Sequence, residues 1–318
     1  MQIKNDSKNP LVNVGFLFQK SIQAFNLKLD REKIVLFQKQ HLLHQKFHIP
    51  HPALQDFVSN IMIVEADLNH IKQSVICPFP PTPQNCIYFY INDPVQTQKL
   101  GTAAFTKKAP SIIVGPQLTR VNLEMGKNHL MLCVSFHPGG LFRLLGIPMK
   151  HFFDEDVDAA LLFSDAEISS INQQLKEANS WQHMKNIVEL FLISKIDKLK
   201  TLLPFDMAMK ELVKSGGTMS MESTASLSCL SLRQFERTCN ERIGLSPKLF
   251  ARLVRFSKAY RLKESQQQLS WTSIAYSSGY FDQMHLIRDF KEFAGVTPRF
   301  LEDELTATPL RLQANIKI

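Results

Sequence analysis

The chain has 318 residues, 44% of them hydrophobic, a formal charge of +8 and five cysteines. That length suits two domains with cores of their own. Scattered cysteines without a CxxC pair exclude a disulfide scaffold or an ordinary zinc finger, and no run approaches the roughly 18 apolar residues of a membrane helix. The expected setting is therefore a reducing cytoplasm, with no membrane partner. The basic balance alone is only a weak pointer to a polyanion.

Residues 1–45 mix apolar and charged patches, without Gly or Pro punctuation after Gly15, and are read as an N-terminal extension whose order the sequence leaves open. Its patch "LVNVGFLF" (11–18) is short, contains Asn13 and lacks a small-residue cleavage site, so it is not read as a signal peptide. A new start falls near "FHIPHPALQDFV" (47–58). From about 56 to 136 short β-branched or aromatic runs follow one another: 57–66, 86–93, 111–116, 120–125 and 129–140. Pro-Pro, Asn-Asp-Pro, Gly-Pro and Pro-Gly-Gly separate them. Strands at this spacing predict an antiparallel barrel or sandwich, its interior filled or holding a ligand. After "HPGG" the apolar period changes to three and four, predicting helices at 141–146, about 165–178 and 181–201. Pro204 breaks the pattern and a second helical region runs to about 305. The expected class is thus α+β: a β-rich domain with trailing helices (46–203), an all-α domain (204–305) and a tail (306–318).

The all-α region is written twice. Ala225, Cys229, Arg237, Cys239, Gly244, Ser246 and Pro247 recur about fifty residues on as Ala275, Gly279, Arg288, Phe290, Gly295, Thr297 and Pro298. Each copy parses as helix, tight turn, helix, stop. Cys229 or Gly279 takes the turn, where a compact or positive-φ residue is needed. Ser231 and Asp282 are placed as N-caps, Gly244 and Gly295 as C′ residues, and Ser246-Pro247 and Thr297-Pro298 as the start of the next helix. This is helix-turn-helix grammar. On a helical wheel Phe235, Cys239 and Ile243 share one face, as do Leu286, Phe290 and Phe293. Opposite them lie Arg233, Glu236, Arg237 and Asn240 in the first copy, with Gln234 beside them, and Gln283, Met284, Ile287 and Arg288 in the second. Forked and amide donors near a helix N-terminus suit base edges in a major groove. The segment between the copies, 247–263, is a basic helix that packs partly inward and is expected to carry its charge on the side that would meet phosphate; from 231 to 263 nine Lys/Arg stand against two acids. At 1.5 Å per residue it spans roughly 26 Å, a scale on which two helices can enter neighbouring groove segments about 34 Å apart.

Residues 205–303 resemble the DNA-binding domain of AraC/XylS-type transcription regulators, on "LSLRQFERTCNERIGLSPKLFARLVRF" and "SIAYSSGYFDQMHLIRDFKEFAGVTPRFL". The N-terminal part, with "IIVGP" and "VSFHPGGLFRLLGIP", resembles the β-rich sensor-like domain found in one branch of that family. The resemblance implies a regulator, activator or repressor, with double-stranded DNA as partner. A small-molecule effector, RNA polymerase and a second copy of the chain are further candidate partners. By motif position it puts base-reading side chains at Arg233, Glu236 and Arg237, and at Gln283, Met284, His285, Ile287 and Arg288. Thr224 departs from the family pattern, standing where a large aliphatic usually precedes the Ala.

Other features read more simply as structure. Asp282 is a cap before it is a contact, and Arg237 and Arg288 have Glu241 and Asp289 as rival partners. His129 and His137 lack a third ligand at a useful spacing, so neither metal nor cofactor is expected. Cys133 alternates with apolar groups and reads as packing rather than as a nucleophile. Phe79, Tyr88, Phe89 and Tyr90 line a pocket or fill a core. No GxSxG, GxxxxGK[ST] or HExxH run occurs, so no enzyme is expected. The rival readings are this DNA-binding half fused to an enzymatic or a purely protein-interacting N-terminal domain.

Overall fold

The computed structural model describes residues 43–307, 310–314 and 316; the expected extension, up to residue 42, lies outside them. Ten strands come first: β1 (Leu43–His48), β2 (Val58–Asp67), β3 (Val75–Phe79), β4 (Cys86–Tyr90), β5 (Gln96–Lys99), β6 (Thr106–Lys107), β7 (Ser111–Val114), β8 (Val121–Met125), β9 (Asn128–Phe136) and β10 (Asp156–Asp158). They form two antiparallel sheets, one in the order β1-β2-β9-β4-β7-β10 and the other β3-β8-β5-β6. The arrangement is a sandwich and not a closed barrel. All five expected strands are present: the first is shifted by one residue to 58–67, the last runs over 128–136, and the other three are shortened at one end. β1 begins at Leu43, ahead of the start placed near 47, and pairs residue for residue with β2 from Leu43↔Ala66 to His48↔Ile61.

The strand period of two explains the long apolar runs of the first sheet. On β9, Leu130, Leu132, Val134 and Phe136 belong to one apolar cluster, while His129, Met131, Cys133 and Ser135 face a cavity. On β2, Ile61 and Ile63 take the first side and Met62 and Val64 the second; on β4, Ile87 and Phe89 alternate with Cys86, Tyr88 and Tyr90 in the same way. Both faces are covered, so both carry apolar side chains. Phe89 therefore fills the core, whereas Phe79, Tyr88 and Tyr90 line the cavity. Cys133 is 2% exposed and its thiol is pushed well up by burial, as expected of a packing residue.

Helices α1 (Gly140–Leu145), α2 (Asp165–Glu177) and α3 (Trp181–Ile193) complete that first cluster. The helix expected over 181–201 stops at Ile193: the Ser194 hydroxyl donates to the Phe191 carbonyl (2.7 Å), and a 3-10 turn follows at Ile196–Lys198. A second cluster belongs to α4 (Pro204–Lys214), α5 (Met221–Leu227), α6 (Leu232–Arg242), α7 (Pro247–Ser265), α8 (Trp271–Ser277), α9 (Gln283–Phe293) and α10 (Pro298–Ala307).

Several polar contacts sit where the β-rich and helical halves meet, beside the packing of Leu118 on the second cluster. Arg242, at the end of α6, is 5% exposed. It donates from Nε and Nη2 to the two carboxylate oxygens of Asp206 on α4 (2.9 and 2.7 Å) and lies 4.7 Å from the centre of the Phe142 ring. Arg120 holds Glu304 of α10 through two bonds (2.6 and 2.9 Å). The C-terminal tail also returns to the sheets: Gln313, 1% exposed, donates from Nε2 to the Pro80 carbonyl (2.7 Å), and its N–H donates to Glu264 of α7 (2.8 Å).

Burial pushes the Glu264 carboxyl up to about 7, against a usual 4.5. The folded chain then keeps a proton that the unfolded chain releases between those values, so stability falls as pH rises through that window. Glu264→Gln is expected to raise the stability by about 1–3 kcal/mol at pH 8 and to change it little at pH 5. Thermal melts at the two pH values measure this, and an equal shift at both would contradict it.

Candidate nucleic-acid interface

Each helix pair is built by short-range chemistry. In the first, α5 starts on a Ser220 cap. Its polar run is satisfied locally: Thr224, fully buried, donates to the Ser220 carbonyl (2.8 Å) and Ser228 to the Thr224 carbonyl (2.8 Å). Hydroxyls that return to their own helix can replace an aliphatic without leaving a polar group unpaired. The turn passes through Cys229 at φ +55°, and its counterpart Gly279 stands at +82°. Ser231 then caps α6. The hydroxyl accepts from the Gln234 N–H (3.4 Å) and the Gln234 side-chain oxygen accepts from the Ser231 N–H (3.1 Å). In the second pair Asp282 accepts from the His285 N–H (2.8 Å), the expected cap of α9. Ser246 and Thr297 cap α7 and α10 by accepting from the N–H groups of Leu249 and Phe300 (3.4 Å each).

The inner faces match the wheel. Phe235, Cys239 and Ile243, and Leu286, Phe290 and Phe293, are all at most 3% exposed. α9 is also pinned electrostatically. Arg252 of α7 donates to Asp289 (2.7 Å) and Glu292, and the Tyr280 hydroxyl donates to the other oxygen of Asp289 (3.0 Å). Asp289 thus points inward, and it is not the partner of Arg288.

Of the ten expected DNA-contacting side chains, Arg233, Gln234, Glu236, Arg237, Asn240, Gln283, Met284, His285 and Arg288 are exposed and Ile287 is half-buried. They fall in two groups, one on α6 and one on α9. Among the described residues, Arg233, Arg237 and Arg288 have no hydrogen bond or ion pair within the chain. Four of the ten have local duties: Gln234 gives its oxygen to the cap, Asn240 donates to the Glu236 carbonyl (3.0 Å), Gln283 accepts from the Thr272 hydroxyl (3.3 Å), and the His285 Nδ1 stands 3.3 Å from the Asp282 carboxylate. His285 stands edge-on to Phe281, itself 86% exposed.

One expectation is corrected. The cations of α7 do not form a phosphate-facing row, because most are spent inside the protein. Arg252 holds Asp289, Arg255 donates to the Gly217 carbonyl (2.5 Å) and Arg261 to the Ile316 carbonyl (2.6 Å). Lys263, 4% exposed, reaches the carbonyl of Gln267 (2.8 Å) and the carboxylate of Glu302 (2.8 Å). Lys248 and Lys258 remain without such partners among the described residues. Arg242 also leaves the solvent face, which the sequence reading missed. Its position seven residues after Phe235, on the apolar side of α6, was the available signal.

Both α6 and α9 end against the β-rich half. Gly244 and Gly295 have φ of +84° and +70°. A Cβ on Gly244 would meet Pro116 at 2.7 Å and the Met149 backbone at 2.9 Å; one on Gly295 would meet Leu100 at 2.0 Å. Glycine serves both the left-handed turn and the close approach.

Two capped helix pairs, each with a buried inner face and a polar outer face, joined by a long internal helix, define a DNA-binding helix-turn-helix protein. The matching family models agree: residues 224–303 match a helix-turn-helix domain and residues 46–158 a domain of unknown function, DUF6597. The chain is a helix-turn-helix transcription regulator with a β-rich N-terminal half, and it resembles the AraC/XylS type. It is similar to crystal structures of ToxT from Vibrio cholerae. An apo variant has 15% identity, 77% of this chain and 97% of that one being covered, at a TM-score of 0.44. The wild type bound to an unsaturated fatty acid has 14% identity, with 75% and 97% covered, at 0.40. The AraC-like transcriptional activator CuxR follows at 11% identity, with 71% and 90% covered, at 0.25. No curated protein matches the chain.

Proposed function

We propose that α6 and α9 are the reading helices of this regulator, and that Arg233, Glu236 and Arg237 on the first and Gln283, Met284, His285, Ile287 and Arg288 on the second meet base edges and phosphates. Gln234 and Asn240 serve at the rim of the first group. The observation that carries this reading is the set of exposed guanidinium groups that the chain leaves without an internal partner, on two helices whose other faces are fully packed. Exposed arginines elsewhere on a protein commonly find surface carboxylates; here the nearby Asp289 is turned away.

The β-rich half, 46–203 with its helices, acts on this reading as the sensing half, and 204–305 as the DNA-binding half. Its partners are double-stranded DNA and a small-molecule effector, with RNA polymerase and a second copy of the chain completing the assembly at a promoter. The action is activation in the cytoplasm, without catalysis. The cavity between the sheets supports sensing, and the Arg120–Glu304 pair and the contact of Arg242 with the Phe142 ring support coupling, because a ligand can bias DNA binding only through contacts that differ between two states.

The test is selection of bound sites from a random DNA pool, followed by titration of the best site at several salt concentrations. Binding is expected to weaken with salt at a log–log slope of about −0.9 per phosphate neutralised. Since most α7 cations are engaged internally, about three to six phosphate contacts are expected, and a slope near zero would remove the electrostatic account. Failure to select any site would remove the DNA-reading assignment itself.

A further inference from the structure

The cavity between the two sheets has a volume of about 130 Å³. Met62, Val64 and Met131 wall it from the first sheet and Val121, Leu123 and Met125 from the second. The methionines give this wall flexible, polarisable surfaces that adapt to an occupant. Tyr88 and Tyr90, stacked at 6.1 Å, and His129 add aromatic surface.

The charges around it are few and already matched. Among the described residues no Lys or Arg lines the cavity. Asp156 does, but it is paired with Lys108 at 2.6 Å. His129 gives its Nδ1 hydrogen to the Asp93 carbonyl (3.2 Å), and burial holds its pKa below the usual value. An anionic head placed here would lose its water without gaining a cation, and a cation would have to displace Lys108. Either costs far more than burying a hydroxyl that finds a phenol or amide partner.

Part of the lining comes from outside the sheets, and two of those residues, Leu312 and Ile316, belong to the C-terminal tail and are half-buried. Between them Gln313 bonds the Pro80 carbonyl on one side and Glu264 of α7 on the other, while Arg261 of α7 holds the Ile316 carbonyl. The tail that borders the cavity is therefore tied to the helix that joins the two reading helices.

We propose that this cavity binds an uncharged, largely apolar molecule carrying at most a hydroxyl or carbonyl group, and that the occupant contacts the C-terminal tail at Leu312 and Ile316. This deepens, and rests on, the reading of the β-rich half as the sensing half. The tail is then the route from the cavity to α7.

The experiment is isothermal titration of the full chain at pH 8 with 1-hexanol and with hexanoate, which share a chain length and differ in head charge. Saturable 1:1 binding of hexanol is expected, with hexanoate at least tenfold weaker. No saturable hexanol binding, or hexanoate binding equally well, would overturn the assignment. Met131→Trp and Thr97→Phe fill the cavity from opposite sheets, so one serves if the other fails to fold; hexanol binding that survives in a folded filled variant places it elsewhere and overturns the proposal. Hydrogen exchange at residues 310–316 is expected to change at saturating hexanol, and unchanged exchange would overturn the contact with the tail. Hexanol that binds, shifts that exchange and yet leaves DNA affinity unaltered supports the cavity assignment while removing the sensing role.

Discussion

Asp206→Ala is expected to destabilise the folded chain by about 3–5 kcal/mol. The two side chains of the pair are 6% and 2% exposed, and the carboxylate accepts two bonds from Arg242. Removing it leaves a guanidinium out of water with only the Thr201 carbonyl (3.2 Å) and the face of Phe142 as partners. It also removes the bond from the Leu203 N–H to Asp206 (2.9 Å), which satisfies the first turn of α4. A buried pair and its apolar replacement differ much less than a pair and its broken half. The double variant Asp206→Leu with Arg242→Met should therefore recover most of the loss. Urea unfolding of the two single variants and the double gives the coupling directly. A loss under about 1 kcal/mol for Asp206→Ala would show that water reaches Arg242.

Arg237→Ala and Arg288→Ala are each expected to weaken binding to a selected site by about 1–3 kcal/mol, and the pair together by about 2–6, since they stand on different helices and share no partner. Both are exposed and unpaired in the chain, so stability should move by no more than about 0.5 kcal/mol. This separation of affinity from stability is what distinguishes a reading residue from a structural one. Gel-shift titration and urea unfolding on the same preparations measure both. If an arginine meets a base, its loss relaxes preference at one position of the site; if it meets phosphate, the loss is uniform across sequences and the salt slope shrinks by about one. Unchanged affinity in the double variant would exclude both roles.

The helical half was legible because its determinants are local. Caps at Ser231 and Asp282, stops at Gly244 and Gly295, and inner faces spaced by three and four all act within one or two turns, and the duplication reads each of them twice. The sandwich was legible where strands are covered on both sides, as in β2, β4, β7 and β9. It was not where strands are short and polar. β5 reads Gln-Thr-Gln-Lys, β6 is two residues, and β10 is Asp-Val-Asp. These strands borrow their stability from neighbours and carry no apolar signal. β1 escaped because polar residues fall on both of its sides, His44 and Lys46 outward and Gln45 beside Phe47 on the cavity. Within the candidate interface, the outer faces followed from periodicity alone. The fate of the α7 cations did not, because Arg252 finds its acids 37 and 40 positions away and Arg261 finds its carbonyl 55 away. Neither the Arg242–Asp206 pair nor the return of the tail to Pro80 leaves a trace in local pattern.

The glycine stops after α6 and α9 carry a mechanical implication. Each reading head has its far end braced on one common frame, the first at Pro116 and Met149, the second at Leu100. The two heads then cannot be re-aimed separately without breaking a brace. On the proposed reading, their mutual phase is set before any duplex arrives, and a promoter whose two contact patches were offset by half a helical turn would engage one head and miss the other.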